Sequence, residues 1–214
     1  MNLIFSSQSL AIIPQGTAIL IGHGALASFT IPKGFKCLFY SGKYRRQVPV
    51  TLLSYLMSLG TFLIFLIGCF LLTFCLPFFT ILPGDRIAKK KIFHNMIHLF
   101  SRFIVFINIP LKKTIINLEL LDFTKPAVLI ANHQSHLDLV LILMLNPKVI
   151  VLTNQWVWNN PFYGLVVRYA EYYPIYQGLE GSLPKLQKKV NDGYSILIFP
   201  EGSRTPDGSI KRFH

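Results

Sequence analysis

Two short blocks decide the fold: Asn132–Asp138, with the sequence NHQSHLD, and Phe199–Arg204, with the sequence FPEGSR. The first block follows the apolar run Ala127–Ala131, and the second begins at the end of the apolar run Ser195–Phe199. Short apolar runs bounded by polar and turn-forming residues predict buried strands. Because active residues of open α/β sheets lie just beyond the carboxyl ends of strands, we expect both blocks at such strand ends.

From Thr114 onward, strand-like and helix-like runs alternate. This alternation predicts an α/β fold with a mixed, partly parallel sheet and flanking helices. The predicted strands are Ile115–Leu121, Ala127–Ala131, Val149–Thr153, Pro174–Tyr176 and Ser195–Phe199. The predicted helices are Leu137–Leu145, Pro161–Ala170 and a helix that Ser182 caps and that stops at Gly193.

Charge is distributed unevenly along the chain. Only 14% of the 214 residues are charged, 52% are hydrophobic, and the net charge is +12. A soluble globular protein carries about 25% charged residues. All nine acidic residues lie at or after Asp85, so the first part of the chain is apolar and basic. Its cations flank uncharged stretches, which favours an anionic bilayer as partner, and the sequence contains no nucleic-acid motif.

Two uncharged segments precede Asp85. Leu10–Ile31 is long enough to cross a bilayer core of about 30 Å, and the alternative is a buried hydrophobic helix. Val50–Leu82 exceeds that thickness as a single helix, so it either tilts or bends. Basic residues flank Val50–Leu82 on both sides, and the positive-inside rule then favours a hairpin with both ends in the cytoplasm.

Lys89–Asn108 has the pattern of a basic amphipathic helix, with apolar residues recurring at spacings of three and four. Such a helix either covers the core of a domain or lies in the headgroup plane of a membrane. We therefore expect three parts: membrane-embedded hydrophobic segments within 1–84, a basic amphipathic linker helix in 85–113, and an α/β domain in 114–214.

In this order and at this distance, the two blocks resemble the principal motifs of the glycerolipid acyltransferases, the family that includes 1-acylglycerol-3-phosphate acyltransferase. The resemblance extends from about Lys89 to the end of the chain. It implies an acyltransferase fold and an O-acyltransferase that moves a fatty acyl group from acyl-CoA or acyl carrier protein to a lysophospholipid hydroxyl. It also implies phospholipid biosynthesis at the inner membrane, with the site on the cytoplasmic face and without a metal or prosthetic group.

The first block suits general base catalysis. A histidine whose far nitrogen donates to a carboxylate takes a proton from an alcohol, and His133 with Asp138 has a spacing that permits this pair. On spacing alone, a structural histidine in a turn is more common. A metal site is not predicted, because no further histidine lies between His136 and His214 to complete a ligand set. By the resemblance, His133 is the catalytic base and Asp138 its partner.

The second block suits anion recognition. Gly202 allows close backbone approach, Ser203 can donate a hydrogen bond, and Arg204 offers a planar cationic fork for phosphate oxygens. The alternative for Arg204 is a solvated cation in a surface turn. The resemblance implies that Gly202, Ser203 and Arg204 bind the acceptor's phosphate and that Glu201 orders the site.

The chain departs from the family pattern at two places. The family carries a Gly-x-x-Phe-Ile-x-Arg-like stretch, whereas Ala170–Gln177 has no arginine, and Arg168 lies out of register. An aminolipid or glycolipid precursor is therefore an alternative acceptor. The family's last motif, an apolar strand containing proline, is missing, so we expect a fragment with an incomplete carboxyl-terminal side.

The amino-terminal residues suggest a second resemblance. Ser28–Lys33 is similar to the closing helix of permeases of the resistance–nodulation–division superfamily. The remaining alternative is thus an inactive fragment of a fused transporter–acyltransferase.

Overall fold

The computed structural model describes residues 11–14, 18–22, 35–39, 52–107, 123–131, 133, 136–175 and 181–202. The chain divides into two compact units. The first, here called the sheet unit, consists of Met1–Arg45, Lys112–His136 and Leu183–His214. The second, the helical unit, consists of Arg46–Leu111 and Leu137–Ser182.

The sheet unit is built on five strands and one helix among its described residues. They are β1 (Ala11–Pro14), β2 (Ala18–Gly22), β3 (Phe35–Phe39), β4 (Ala127–Ile130), α6 (Leu183–Asn191) and β7 (Ser195–Ile198). The strand order is β3-β2-β1-β4-β7. Strands β4 and β7 are parallel, as are β2 and β3, whereas β1 is antiparallel to both β2 and β4. The prediction of a mixed, partly parallel sheet is therefore confirmed.

Strands β4 and β7 form the centre of this unit. Val128 pairs with Ile196, Leu129 with Leu197 and Ile130 with Ile198. The side chains of Leu129 and Leu197 are fully buried, as expected for strands covered on both faces. At the start of the pair, the Ala127 backbone N–H donates to Ser195 Oγ at 3.1 Å. Both predicted strands are confirmed to within one residue.

The prediction of a helix over Leu10–Ile31 is wrong. Residues 11–14 and 18–22 are strands, and Ala11 pairs with Ile130 while Pro14 pairs with Ala127. An uncharged run of this length fits a membrane helix, but Pro14 and the nearby glycines divide it into short pieces rich in isoleucine. Strand β1 satisfies its backbone groups by pairing with β4 and β2, and β2 does so by pairing with β1 and β3.

The helical unit contains five helices and a pair of strands among its described residues. They are α1 (Leu52–Ile81), α2 (Arg86–Ile107), α3 (His136–Leu143, with His136 in the sheet unit), β5 (Val149–Thr153), α4 (Gln155–Trp158), α5 (Gly164–Tyr169) and β6 (Tyr173–Pro174). Strands β5 and β6 are parallel. The predicted strand Val149–Thr153 is confirmed at both ends, and the predicted helices 137–145 and 161–170 are longer than α3 and α5. Helix α4 was not predicted.

Helix α1 is continuous over its 30 residues and contains Pro77. The predicted hairpin within Val50–Leu82 is therefore wrong, and the chain reverses after Leu82 instead. Among the described residues, Tyr55–Ile81 is the one helix long and apolar enough to cross a membrane. Most of its large apolar side chains are exposed, so α1 is not a buried core helix.

Asp85 starts helix α2. The Ile87 N–H donates to Asp85 Oδ1 at 3.2 Å, and the Ala88 N–H donates to Oδ2 at 2.9 Å. These bonds to the carboxylate hold the pKa of Asp85 below its ordinary value. The first acidic residue of the chain thus serves as the N-cap of α2.

Helix α2 confirms the amphipathic prediction for Lys89–Asn108. Its buried side chains include Phe93, Ile97, Ile104 and Val105, so this face covers the core of the helical unit. Ile104 and Val105 form a cluster with Val140 of α3, against which Phe65 of α1 and Phe100 of α2 also pack. The opposite side of α2 is exposed and carries apolar residues as well, namely Ile92, Leu99, Phe103 and Phe106.

The helix pair α1–α2 is packed without clearance at Gly68. A Cβ atom placed on Gly68 would lie 1.8 Å from Cζ of Phe100, which is itself held by the core cluster. By contrast, a Cβ atom on Gly60 of the same helix meets nothing within 4 Å. The two glycines of α1 therefore offer a test site and a matched control site for substitution by alanine.

We expect Gly68→Ala to destabilise the protein by about 2 kcal/mol, because an inserted methyl group overpacks a filled site. Gly60→Ala should be neutral or stabilising by up to about 1 kcal/mol, because alanine favours the helix. Thermal unfolding of the purified protein in detergent measures both. Equal unfolding midpoints for the two variants would contradict the close α1–α2 contact.

Candidate active site

The carboxyl end of β4 positions His133. Beyond the paired residues of the strand, the Ala131 N–H donates to the Ile198 carbonyl at 2.9 Å, which extends the β4–β7 ladder by one bond. His133 follows two residues later and is partly buried. The backbone that carries the imidazole is thus fixed by the parallel pairing almost up to the histidine itself.

The carboxyl end of β7 runs directly into a turn. The Gly202 N–H donates to the Phe199 carbonyl at 3.0 Å, which closes a four-residue turn with Pro200 and Glu201 at its centre. Proline fits the second position of such a turn because its ring fixes φ, and glycine is favoured at the fourth position. Gly202 has φ +61°, a left-handed backbone that costs other residues strain.

The rings of His133 and Phe199 bring the two blocks together. Their centroids lie 4.5 Å apart, with the ring planes inclined at 36°. A contact of this kind between aromatic rings stabilises a structure by about 0.5–1.5 kcal/mol and limits the orientations of both. The expectation that both motifs lie beyond carboxyl ends of strands is met for His133 and Glu201.

Glu201 is the most deeply buried acidic residue among the described residues, with 1% of its surface exposed. A carboxylate is costly to bury unless it is hydrogen bonded or paired with a cation. Such a residue in the turn after β7 is consistent with an ordering role. Gly202 beside it is partly buried.

Asp138 lies in the first turn of α3, as predicted, and belongs to the helical unit. Its pairing with His133, which lies in the sheet unit, remains a prediction. Ser203 and Arg204 lie outside the described residues, so their roles are also predictions. The strand predicted at Ile115–Leu121 likewise lies outside the described residues.

The stretch that lacks the family arginine has unusual features. Glu171 has φ +56°, a left-handed backbone that is uncommon for residues other than glycine. Its Oε1 lies 3.7 Å from the Nζ of Lys90, whose side chain is buried and donates a hydrogen bond to the Tyr169 carbonyl. The Lys90 ammonium also lies 4.1 Å from the centre of the Tyr169 ring. An ion pair and a cation–π contact thus support a backbone conformation that glycine adopts without strain.

The described residues of this stretch, 170–175, include no cationic side chain that could bind a phosphate. Burial, and secondarily the Glu171 carboxylate, raises the pKa of Tyr173 to about 12, so its phenol stays neutral. Arg168, which the sequence places nearby, donates from Nη1 to the Trp158 carbonyl at 2.9 Å. Arg168 therefore braces the α4–α5 connection.

Sequence reasoning assigned no role to Phe199. The signal was present in the register: Phe199 follows β7 immediately, and His133 lies only two residues beyond the last β4–β7 bond. Residues just past the paired ends of adjacent parallel strands are neighbours in space, so contact between them was predictable once β4 and β7 were known to be adjacent.

We expect Gly202→Ala to lower the free energy of unfolding by about 1 kcal/mol, because alanine is strained at φ +61°. For a chain of this size that corresponds to about 2–4 °C in the unfolding midpoint. Gly181→Ala is the control, because a Cβ atom there meets nothing within 4 Å. If both variants unfold at the wild-type temperature, the tight turn after β7 is not formed as described.

Comparison with known proteins extends these observations. Residues 112–214 match the family model described as Acyltransferase. The fold is similar to the crystal structure of the 1-acyl-sn-glycerophosphate (LPA) acyltransferase PlsC from Thermotoga maritima, with a TM-score of 0.52 and 23% sequence identity. That match covers 74% of this chain and 65% of the other one. The acyltransferase fold expected from the resemblance is thus confirmed, whereas the permease resemblance of the amino-terminal residues remains a prediction.

Proposed function

We propose that this chain, whose residues 112–214 match the Acyltransferase family model, is an O-acyltransferase of lysophospholipid metabolism. It transfers a fatty acyl group from a thioester of coenzyme A or acyl carrier protein to the hydroxyl of an acceptor such as 1-acylglycerol 3-phosphate. The observation that carries the proposal is the contact of His133 with Phe199, 4.5 Å between ring centroids, which joins the histidine motif to the Pro-Glu-Gly turn.

The chemistry requires a base and an orienting acid. The His133 imidazole removes the proton of the acceptor hydroxyl while the oxygen attacks the thioester carbonyl carbon. The tetrahedral adduct then collapses, the C–S bond breaks, and the imidazolium returns the proton to the departing thiolate. Asp138 would stabilise the imidazolium and hold the productive tautomer, as a carboxylate does in other histidine-dependent acyl transfers. This route uses no metal or prosthetic group.

The turn after β7 is proposed to bind the acceptor. Arg204 contacts its phosphate, Ser203 and the Gly202 backbone add hydrogen bonds, and Glu201 orders the turn. The buried position of Glu201 and the left-handed backbone of Gly202 support this division of roles, because both indicate a fixed turn. A fixed turn presents donors without a further loss of conformational entropy.

Helix α1 supports a membrane location, where the lipid acceptor resides. The basic residues of Arg86–Lys91, which follow α1 on the side of the acyltransferase domain, favour the cytoplasmic face of the inner membrane for that domain, and acyl thioesters are found on the same face. The bilayer, the acceptor lipid and the thioester donor are the proposed partners.

We expect His133→Ala to lower kcat by about 10²–10⁴-fold, because the general base is lost. Binding of the acceptor lipid should change little. His98→Ala is the matched control: His98 contacts the Leu143 carbonyl through Nδ1 at 2.9 Å, within the helical unit, and its loss should leave turnover near wild type once folding is verified. Turnover of His133→Ala near the wild-type rate would refute its role as base.

We expect Arg204→Ala to raise the KM for a phosphate-bearing acceptor roughly tenfold or more while changing the KM for the donor little, because only the acceptor's phosphate meets the guanidinium. Arg204→Lys keeps the charge but loses the planar fork, so it should recover part of the loss. Arg168→Ala, which removes an arginine bonded to the Trp158 carbonyl, is the control. An equal rise in both KM values would remove the phosphate assignment.

A second acceptor class is favoured by one observation. The stretch that carries a phosphate-binding arginine in the family here contains the Glu171 carboxylate and the neutral Tyr173 phenol. A carboxylate repels a phosphate, so an aminolipid or glycolipid precursor is the alternative acceptor. Turnover of matched acceptors with and without phosphate, measured with one thioester donor, distinguishes the two.

A further inference from the structure

The α4–α5 corner, residues 155–168, exposes three large apolar side chains. The exposed fractions are 52% for Trp156, 62% for Phe162 and 47% for Leu165. Single exposed apolar residues are ordinary, but a tryptophan, a phenylalanine and a leucine on one short corner form a feature that marks an interaction surface.

The backbone of this corner is internally bonded. Asn160 Oδ1 accepts hydrogen bonds from the Phe162 N–H at 2.9 Å and the Tyr163 N–H at 3.3 Å, and the Asn160 carbonyl accepts one from the Gly164 N–H at 2.8 Å. The Arg168 guanidinium donates a hydrogen bond to the Trp158 carbonyl. Irregular backbone is costly in an apolar medium because its polar groups lose water, and these bonds lower that cost.

The corner adjoins the apolar helix α1. The Tyr163 ring lies 6.2 Å from the ring of Phe65, which is near the middle of Tyr55–Ile81. The same Tyr163 ring lies 6.3 Å from the ring of Trp156. Trp156 is therefore linked to the candidate membrane helix through one intervening aromatic ring.

We propose that the α4–α5 corner is a second lipid-contacting surface, which inserts Trp156, Phe162 and Leu165 into the bilayer beside α1. The ring contact between the corner and α1, a helix with many exposed apolar side chains, favours lipid over a protein partner. Residues 155–168 also contain no acidic residue, and the chain carries a net charge of +12, so an anionic headgroup layer attracts the surface. Tryptophan is the residue most typical of the boundary between headgroups and acyl chains.

The inference rests on the membrane location proposed for α1, but it is independent of acyl transfer. A test uses the two tryptophans of the full chain as reporters. In the Trp158→Phe variant, Trp156 is the single tryptophan, and its emission is excited selectively over that of the tyrosines. In a second variant, both tryptophans are replaced by phenylalanine and Phe74→Trp places the fluorophore on α1, where residue 74 is exposed.

Each protein is mixed with vesicles of phosphatidylglycerol and phosphatidylcholine whose acyl chains carry bromine, a short-range quencher. We expect emission from Trp156 and from the residue-74 reporter to fall roughly twofold or more relative to unbrominated vesicles, because both fluorophores would lie at membrane depth. Phe162→Ser should reduce the quenching of Trp156, whereas Leu183→Ser, at an exposed leucine of the sheet unit, should not.

Three results overturn the inference, and they are distinguishable. Quenching of the residue-74 reporter without quenching of Trp156 would leave α1 in the membrane and exclude the corner. Absence of quenching in both variants would overturn the membrane location of α1 together with the corner. A Trp156 emission that responds to protein concentration but not to brominated lipid would identify a second copy of the chain as the occupant and exclude lipid.

Discussion

The parallel pairing of β4 with β7 is the constraint on which the site depends. Its backbone bonds fix two chain segments that are more than sixty positions apart in sequence, and the last bond, from Ala131 to Ile198, lies only two residues before His133. The imidazole therefore needs few further contacts to be placed, and the Phe199 ring supplies one of them. A histidine held in this way needs little further ordering to act as the proposed base.

The sequence predicted elements whose signals are local. The apolar runs of β4, β5 and β7 indicated strands because burial on both faces of a sheet leaves a short, unbroken apolar run. The spacing of apolar residues in α2 indicated a helix because burial of one face leaves a period of about 3.6 residues. The prediction for Leu10–Ile31 was wrong because an uncharged run of suitable length is equally compatible with two strands that pair with each other and with other strands of the sheet. The contact of His133 with Phe199 depends on strand order, which a single sequence does not encode locally.

Glu171 shows how side-chain contacts hold a residue other than glycine in a left-handed backbone. Glycine tolerates such a backbone, whereas a glutamate at φ +56° needs compensation. Lys90 of α2 supplies it through the ion pair and its position over Tyr169. The ion pair therefore ties α2 to the turn that follows α5.

Gly68 has a consequence for how α1 and α2 can move relative to each other. The Phe100 ring fills the space that a side chain at position 68 would occupy. Rotation of α1 about its own axis would therefore bring neighbouring side chains of α1 into steric conflict with α2. The absence of a Cβ atom at Gly68 thus determines which face of α1 points away from α2. A change in the tilt of α1 would therefore carry α2 with it, so that the two helices reorient as one rigid pair.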